Sequence, residues 1–213
     1  MTVFQFGRLA AATAAFLVFA AGSALAYEAP TLADLSTAQL EDARDNGEKF
    51  TLVAPEGEVN RGQVVGVIHA PMDELAVIVR DYENIPLWSE AMVYATVTSD
   101  DGRTQIVEGE TKLPWPLANR LWRIRSVYGA DTVEGSEAWT NVWTHEGGFG
   151  NIDDTYGYWL LYPYPGDPSY TVVKYVINAD PGLWLPDFVL NWATERVLPE
   201  LLQGLERRHG EVY

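Results

Sequence analysis

Residues 110–125 read ETKLPWPLANRLWRIR, and residues 175–186 read YVINADPGLWLP. The second stretch runs directly into an apolar C-terminal helix that starts near Pro186. Along it Val189, Ala193, Val197, Leu201 and Leu205 recur every four positions, flanked by Leu190, Leu198 and Leu202, so one stripe must be buried against a sheet. Near the helix start Phe188, Val189, Leu190 and Trp192 are apolar nearly all round, which predicts contacts on more than one side. Pro199 removes a backbone donor inside the helix and predicts a bend near residues 195–199.

Between Met92 and Asn178 the pattern alternates with period two and is broken by turn signals, clearest at Ser99-Asp100-Asp101-Gly102 and Pro163-Tyr164-Pro165-Gly166-Asp167. About five antiparallel strands are expected there. One puts Leu121, Arg123, Arg125 and Val127 on one face and Trp122, Ile124, Ser126 and Tyr128 on the other. Another separates Trp139, Asn141, Trp143 and His145 from Ala138, Thr140, Val142 and Thr144. Bulky groups on both faces argue that one face meets a helix or an enclosed cavity with polar points.

Upstream, Ser36-x-x-Gln39 is a capping box opening a short helix to about Asn46, with Gly47 placed to stop it, and this element reads as a peripheral lead-in. Phe50–Ala54 and Val59–His69, separated by Pro55-Glu56-Gly57, read as a hairpin. Pro71 suits the first turn of a helix carrying Leu75, Ile78, Val79 and Tyr82 on one face, and Asn84-Ile85-Pro86 ends it before Trp88.

The first 26 residues have the form of a signal peptide, with Arg8 as the positive region, Leu9–Ala21 as the apolar run and Ala24-Leu25-Ala26 as the cleavage site. That apolar run is too short to span a bilayer, which takes about 20 residues. Export to the periplasm with cleavage after Ala26 is expected, followed by a lead-in over residues 27–49 and one domain over 50–213. The chain has no Cys, so no disulfide staples it. Its charge is −16, and removing residues 1–26, whose one charged side chain is Arg8, leaves −17. That acidity argues against nucleic acid and against unaided docking to anionic membranes. The eight Trp and eleven Tyr all lie beyond residue 26, with only Phe50, Phe149 and Phe188 beside them. Rings with one polar handle suit cavity walls; cross-strand aromatic pairs on a half-exposed sheet are the alternative.

Strand, strand, small helix, strand meander and long C-terminal helix is the order of an α+β helix-grip fold, a curved antiparallel sheet wrapped around the last helix. VVGVIHAPMDELAVIVRDYENIPLW (residues 64–88), LPWPLANR (113–120) and NADPGLWLPDFVLNW (178–192) resemble segments of START-type lipid-binding domains of the SRPBCC superfamily. The resemblance spans about residues 50–208. It implies a tunnel between sheet and C-terminal helix that shelters a lipid, sterol or other polycyclic apolar molecule. Trp184, Pro186, Phe188 and Trp192 are then expected at its mouth, facing the loop Gly147-Gly148-Phe149-Gly150-Asn151. That loop is a gate or simply a Gly-rich connection around a buried Phe.

The candidate ligand-binding residues are Trp88, Trp115, Arg123, Arg125, Trp139, Asn141, Trp143, Phe149, Tyr158, Tyr175, Trp184, Phe188 and Trp192. Arg123 and Arg125 share a face, as do Glu108 and Glu110 on the preceding strand; they orient a ligand head group if inward, or form a solvated ladder if outward. Lifting a chain of about 16 methylenes from a bilayer costs roughly 13 kcal/mol, so on the order of 500 Å² of ligand must be enclosed. No catalytic residue, metal or cofactor is assigned: His69, His145 and His209 lack metal-ligand spacing, and no G-x-S-x-G is present. His145 shares a face with Trp139, Asn141 and Trp143, which keeps a cyclase-like enzyme as the alternative to a carrier. A monomer is expected, with a membrane or periplasmic transport protein as a further partner.

Overall fold

Ser36 opens the first helix, α1 (Thr37–Asn46), through a reciprocal capping box with Gln39, and Gly47 closes it in a left-handed conformation at φ 71°. The computed structural model describes residues 29–56, 59–183 and 185–213; the expected signal peptide and Trp184 lie outside the described residues. After α1 come strands β1 (Phe50–Glu56) and β2 (Val59–Ile68), helix α2 (Met72–Arg80) and a 3-10 turn (Tyr82–Leu87). Pro71 stands just before α2 and not in its first turn, and makes no side-chain capping bond, while Leu75, Ile78 and Val79 are buried as their spacing requires. Tyr82 falls in the 3-10 turn and is buried as well.

Six strands follow, one more than expected: β3 (Met92–Asp100), β4 (Thr104–Thr111), β5 (Arg120–Val133), β6 (Ser136–His145), β7 (Asp154–Tyr164) and β8 (Asp167–Asp180). The hairpin between β5 and β6 turns at Glu134-Gly135, where both residues have positive φ, 51° and 85°. That is the geometry a two-residue hairpin favours. Among the described residues the eight strands form one curved antiparallel sheet in the order β1-β2-β8-β7-β6-β5-β4-β3, in which only the β2–β8 pairing joins strands distant in sequence.

Both faces of this sheet are covered. On the outer face Val65, Tyr158, Leu160, Tyr162, Val172 and Val176 pack beneath residues 32–43. Lys174, buried there, donates from Nζ to Thr31 O (2.9 Å), Thr31 Oγ1 (3.0 Å) and Leu32 O (3.3 Å), and Tyr162 Oη accepts from the Ala33 amide at 3.2 Å. The N-terminal segment is therefore part of the core and not a peripheral lead-in. Its sequence hid this because α1 is mostly polar and commits only Ala43 to full burial.

On the inner face lies the C-terminal helix, built as α3 (Asp187–Trp192), a π-helical turn (Ala193–Val197) and α4 (Leu198–Val212). The irregularity falls where Pro199 predicts it. The helical backbone continues through Val197 into α4, and the wider π-turn lies just before Pro199, where the proline's missing donor interrupts the α-helical bonding. Leu198, Leu201, Leu202 and Leu205 are buried, and α4 approaches β2 closely because two glycines face it. A Cβ on Gly62 would stand 3.5 Å from Leu198 Cδ1, and one on Gly66 would stand 2.9 Å from Leu202 Cδ2. Farther along, a Cβ on Gly204 would overlap the carbonyl of Trp88. His209 near the helix end pairs with Glu74 of α2 at 2.6 Å.

Gly204→Ala is expected to lower stability by about 2 kcal/mol, because the backbone of Trp88 must move, and to reduce the melting temperature by roughly 4–8 °C. Gly210→Ala in the same helix, with nothing within 4 Å of the new methyl, should instead stabilise by up to about 1 kcal/mol. Thermal unfolding followed by circular dichroism separates close packing from helix propensity.

Candidate ligand cavity

Cross-strand register decides which side chains reach the interior. On β5, Trp122, Ile124, Ser126 and Tyr128 point inward and Arg125 and Val127 outward, as the burial alternation shows. Ser126 is paired with Trp143, Trp143 with Gly157, Gly157 with Ile177 and Ile177 with Gly62, giving one row across the inner face. A neighbouring row runs Tyr128, Asn141, Trp159, Tyr175, Val64.

Two of the inner tryptophans lie over glycines of the next strand. Trp122 is opposite Gly109 and Trp143 opposite Gly157, and a Cβ on either glycine would collide with the indole. Each ring can therefore lie along the sheet and leave the space above it open. Trp122 is fixed by its Nε1–H donating to Thr111 Oγ1 at 2.9 Å. Trp143 stacks on Tyr175 with centroids 5.5 Å apart, Tyr175 meets Trp159 at 4.7 Å, and Trp159 meets Trp88 edge-on at 6.4 Å.

These rings wall a cavity of about 290 Å³, roofed by Val189, Trp192, Ala193, Val197, Leu198 and Leu201 of the C-terminal helix and closed on one side by Tyr82, Ile85 and Trp88. Its size is at the lower end of the range for small-molecule sites. Beside it, sharing Trp192, Val197 and Leu113, lies a smaller charged depression of about 170 Å³. There Glu90 pairs with Arg196 at 3.1 Å, and Glu200 pairs with Arg207 at 3.1 Å. The cavity thus joins an apolar chamber to a polar surface.

Polar groups inside are few. Tyr82 Oη donates to Ser126 Oγ (3.2 Å) and accepts from Asn141 Nδ2 (3.2 Å), a buried network. Burial pushes the Tyr82 phenol above the usual tyrosine range, opposed by those hydrogen bonds. Tyr175 is pushed up as well, by burial first and by the Tyr82 phenol second. Arg120, on the border, donates to the carbonyls of Ala118 (3.1 Å) and Asn119 (3.3 Å). No cluster of three or more His, Cys, Asp or Glu suited to a metal occurs among the described residues.

Of the candidate residues, Trp88, Trp143, Tyr175 and Trp192 line the cavity. Asn141 and Trp139 share that sheet face without lining it: Asn141 belongs to the Tyr82 network, and Trp139 packs on Tyr128 at 6.3 Å. Arg123 and Arg125 are corrected to the outer ladder, Arg123 on Glu108 (2.9 Å) and Arg125 on Glu146 (3.0 Å), since their strand parity opposes that of Trp122. Phe149 lies under the Arg123 guanidinium at 5.2 Å, away from the cavity, so the glycine loop does not line the wall and Ile152, the residue after it, does. Tyr158, paired with outward Val142, faces the outer core beside Lys174. Trp115 is 89 % exposed and Phe188 47 % exposed, and neither lines the cavity.

Trp122, Trp159 and Tyr82 were missed. For Trp122 a signal existed, because its face carries no charge while the opposite face carries Arg123 and Arg125. For Trp159 there was none, since bulky residues occupy both faces of β7. His145, with Nδ1 lacking a partner, is on the inner face but not on the cavity.

No protein-family model matches the chain, and no curated protein does. Solved structures do. A STAR-related lipid transfer protein fragment from Xanthomonas axonopodis is 16% identical, with a TM-score of 0.57 over 75% of this chain and 98% of that one. Human StAR-related lipid transfer protein 5 is 14% identical, with a TM-score of 0.58 over 82% and 92%. A START superfamily protein from Mycobacterium smegmatis is 15% identical, with a TM-score of 0.55 over 72% and 99%. The expected fold is therefore the observed one: the chain has the helix-grip fold of START-type domains, a curved antiparallel sheet closed by a long C-terminal helix.

Proposed function

We propose that this chain binds one apolar molecule, a lipid, sterol or other polycyclic compound, in the cavity under the C-terminal helix, and carries it across the periplasm after export. The observation that carries the reading is the cavity of about 290 Å³ walled by Trp88, Trp122, Trp143, Trp159 and Tyr175. Aromatic walls bury the ligand surface that a transferable apolar cargo needs to leave a membrane. The size favours a single chain or a compact ring system; a two-chain lipid requires the helix roof to lift. The structural neighbours named for lipid transfer agree with this reading. The cyclase-like alternative gains nothing from His145, which stands away from the cavity.

Purified mature protein, extracted and analysed by mass spectrometry, is expected to yield an apolar compound in near-stoichiometric amount. Protein that neither retains nor takes up any lipid or polycyclic probe contradicts the proposal. Gly109→Ala supplies a cavity-filling test, because the methyl drives the Trp122 indole off the strand and breaks its bond to Thr111. Ligand affinity should fall at least about tenfold, equivalent to about 1.4 kcal/mol, with the far-ultraviolet dichroism unchanged.

Transfer is proposed to use a protein partner at the membrane. With a charge of −17 over residues 27–213, approach to an anionic leaflet is opposed on the scale of about 1 kcal/mol per charge at the surface. Delivery of cargo to anionic vesicles should be slower than to neutral ones, and the difference should shrink as salt is raised. Equal rates at low salt would remove the need for a partner.

A further inference from the structure

We propose that the deep end of the cavity receives a single uncharged oxygen of an otherwise apolar ligand, with the Tyr175 hydroxyl as its hydrogen-bond partner. This rests on the cavity-binding reading above and assigns the ligand's polarity and orientation within it.

The inner row Asn141, Trp159, Tyr175 and Val64 crosses four strands, and Tyr82 stands over it from the 3-10 turn. Most polar groups in this region satisfy one another: Tyr82 Oη, Ser126 Oγ and the Asn141 amide form a closed set. Tyr175 stands apart. Its ring is held between Trp143 and Trp159, yet its hydroxyl makes no hydrogen bond with any described residue. Nor is that oxygen among the sealed, partnerless atoms such as Trp88 Nε1 and His145 Nδ1; it keeps free surface, and the space beside Tyr175 is the cavity. A hydroxyl held in a dry aromatic wall costs free energy that a phenylalanine would not. A ligand oxygen offsets that cost.

The charge of the group follows from its surroundings. Burial keeps the phenol protonated through the physiological range, so it remains a donor. The cations bordering the cavity are Arg61 and Arg120. Register places them three residues from Val64 on β2 and eight residues from Tyr128 on β5, the members of this row on those strands. At about 3.3 Å per residue these are separations of about 10 and 26 Å along the strands. A carboxylate at Tyr175 would have to draw the Arg61 guanidinium along β2 for a counter-charge, whereas a ketone, an ester carbonyl or a hydroxyl needs none. The ligand class is a neutral amphiphile that enters oxygen first, with its apolar body along Trp143, Trp122 and Ile177.

The test uses the mature protein with two matched probes, 2-hexanoylnaphthalene and 2-hexylnaphthalene, and the variant Tyr175→Phe. Removing an unpartnered hydroxyl should leave the melting temperature of the ligand-free variant equal to or above that of the wild type. The ketone should bind the variant about tenfold more weakly than it binds the wild type, and the hydrocarbon should bind both alike. Independently of the variant, the infrared carbonyl stretch of the ketone bound to wild type should lie at the hydrogen-bonded frequency. If both probes bind and the substitution changes neither, or if the carbonyl stretch is that of a free ketone, the assignment of Tyr175 is overturned while apolar binding stands. Equal affinity for 6-(2-naphthyl)hexanoate and the ketone overturns the requirement for an uncharged group. Failure of every probe to bind wild type overturns the cavity reading and this inference with it.

Discussion

Two indoles laid flat across glycines are the constraint on which the interior depends. Side chains on a strand ordinarily stand roughly perpendicular to the sheet, and a tryptophan in that posture on the inner face would fill the space beneath the C-terminal helix. Opposite Trp122 and Trp143 the neighbouring strands carry Gly109 and Gly157, so the rings lie where those residues' side chains would have been. The wall becomes broad, apolar and thin. Trp143 in turn braces Tyr175, and Tyr175 braces Trp159, so the shape of the chamber is carried by a chain of ring contacts across β6, β7 and β8.

An inner face that gives up packing must be supported from the other side. Val65, Leu160, Val172 and Val176 lie fully beneath the N-terminal segment, which is tied down by Lys174 and Tyr162. Because Lys174 binds three oxygens of Thr31 and Leu32 and no carboxylate is among those partners, the contact is specific to that stretch of backbone. The sheet is thus a layer between a solid outer core and a hollow inner one. This explains why both faces of β7 are buried.

Element order, the hairpin at the start, the cap of α1 and the irregularity ahead of Pro199 were all legible, because each has a local cause: period-two alternation, a capping box, a missing donor. The placement of the site was legible only in part. Trp88, Trp143, Tyr175 and Trp192 share the cavity, but Arg123, Arg125 and Tyr158 were assigned to it although one-residue parity places them on the far side. Parity is invisible where both faces are bulky, and it becomes visible only through register, which is a property of strand pairs. The glycines mattered for the same reason. Gly109 and Gly157 read as weak points within their strands until the partner strand shows a tryptophan opposite each.

A cavity of this kind is a liability for stability alone. Rings that face open space on one side forgo the packing contacts a filled core would give them. Relief needs little: a methyl at Gly109 would push Trp122 inward and reduce the void. Yet the sequence keeps glycine there, and the roof is broken by a π-turn whose residues Ala193 and Val197 border the same space. A molecule that fills the chamber restores the missing contacts and stabilises the folded state in proportion to its occupancy. Under this account binding and folding draw on the same interactions, and the π-turn of the roof lies where the ligand would touch it.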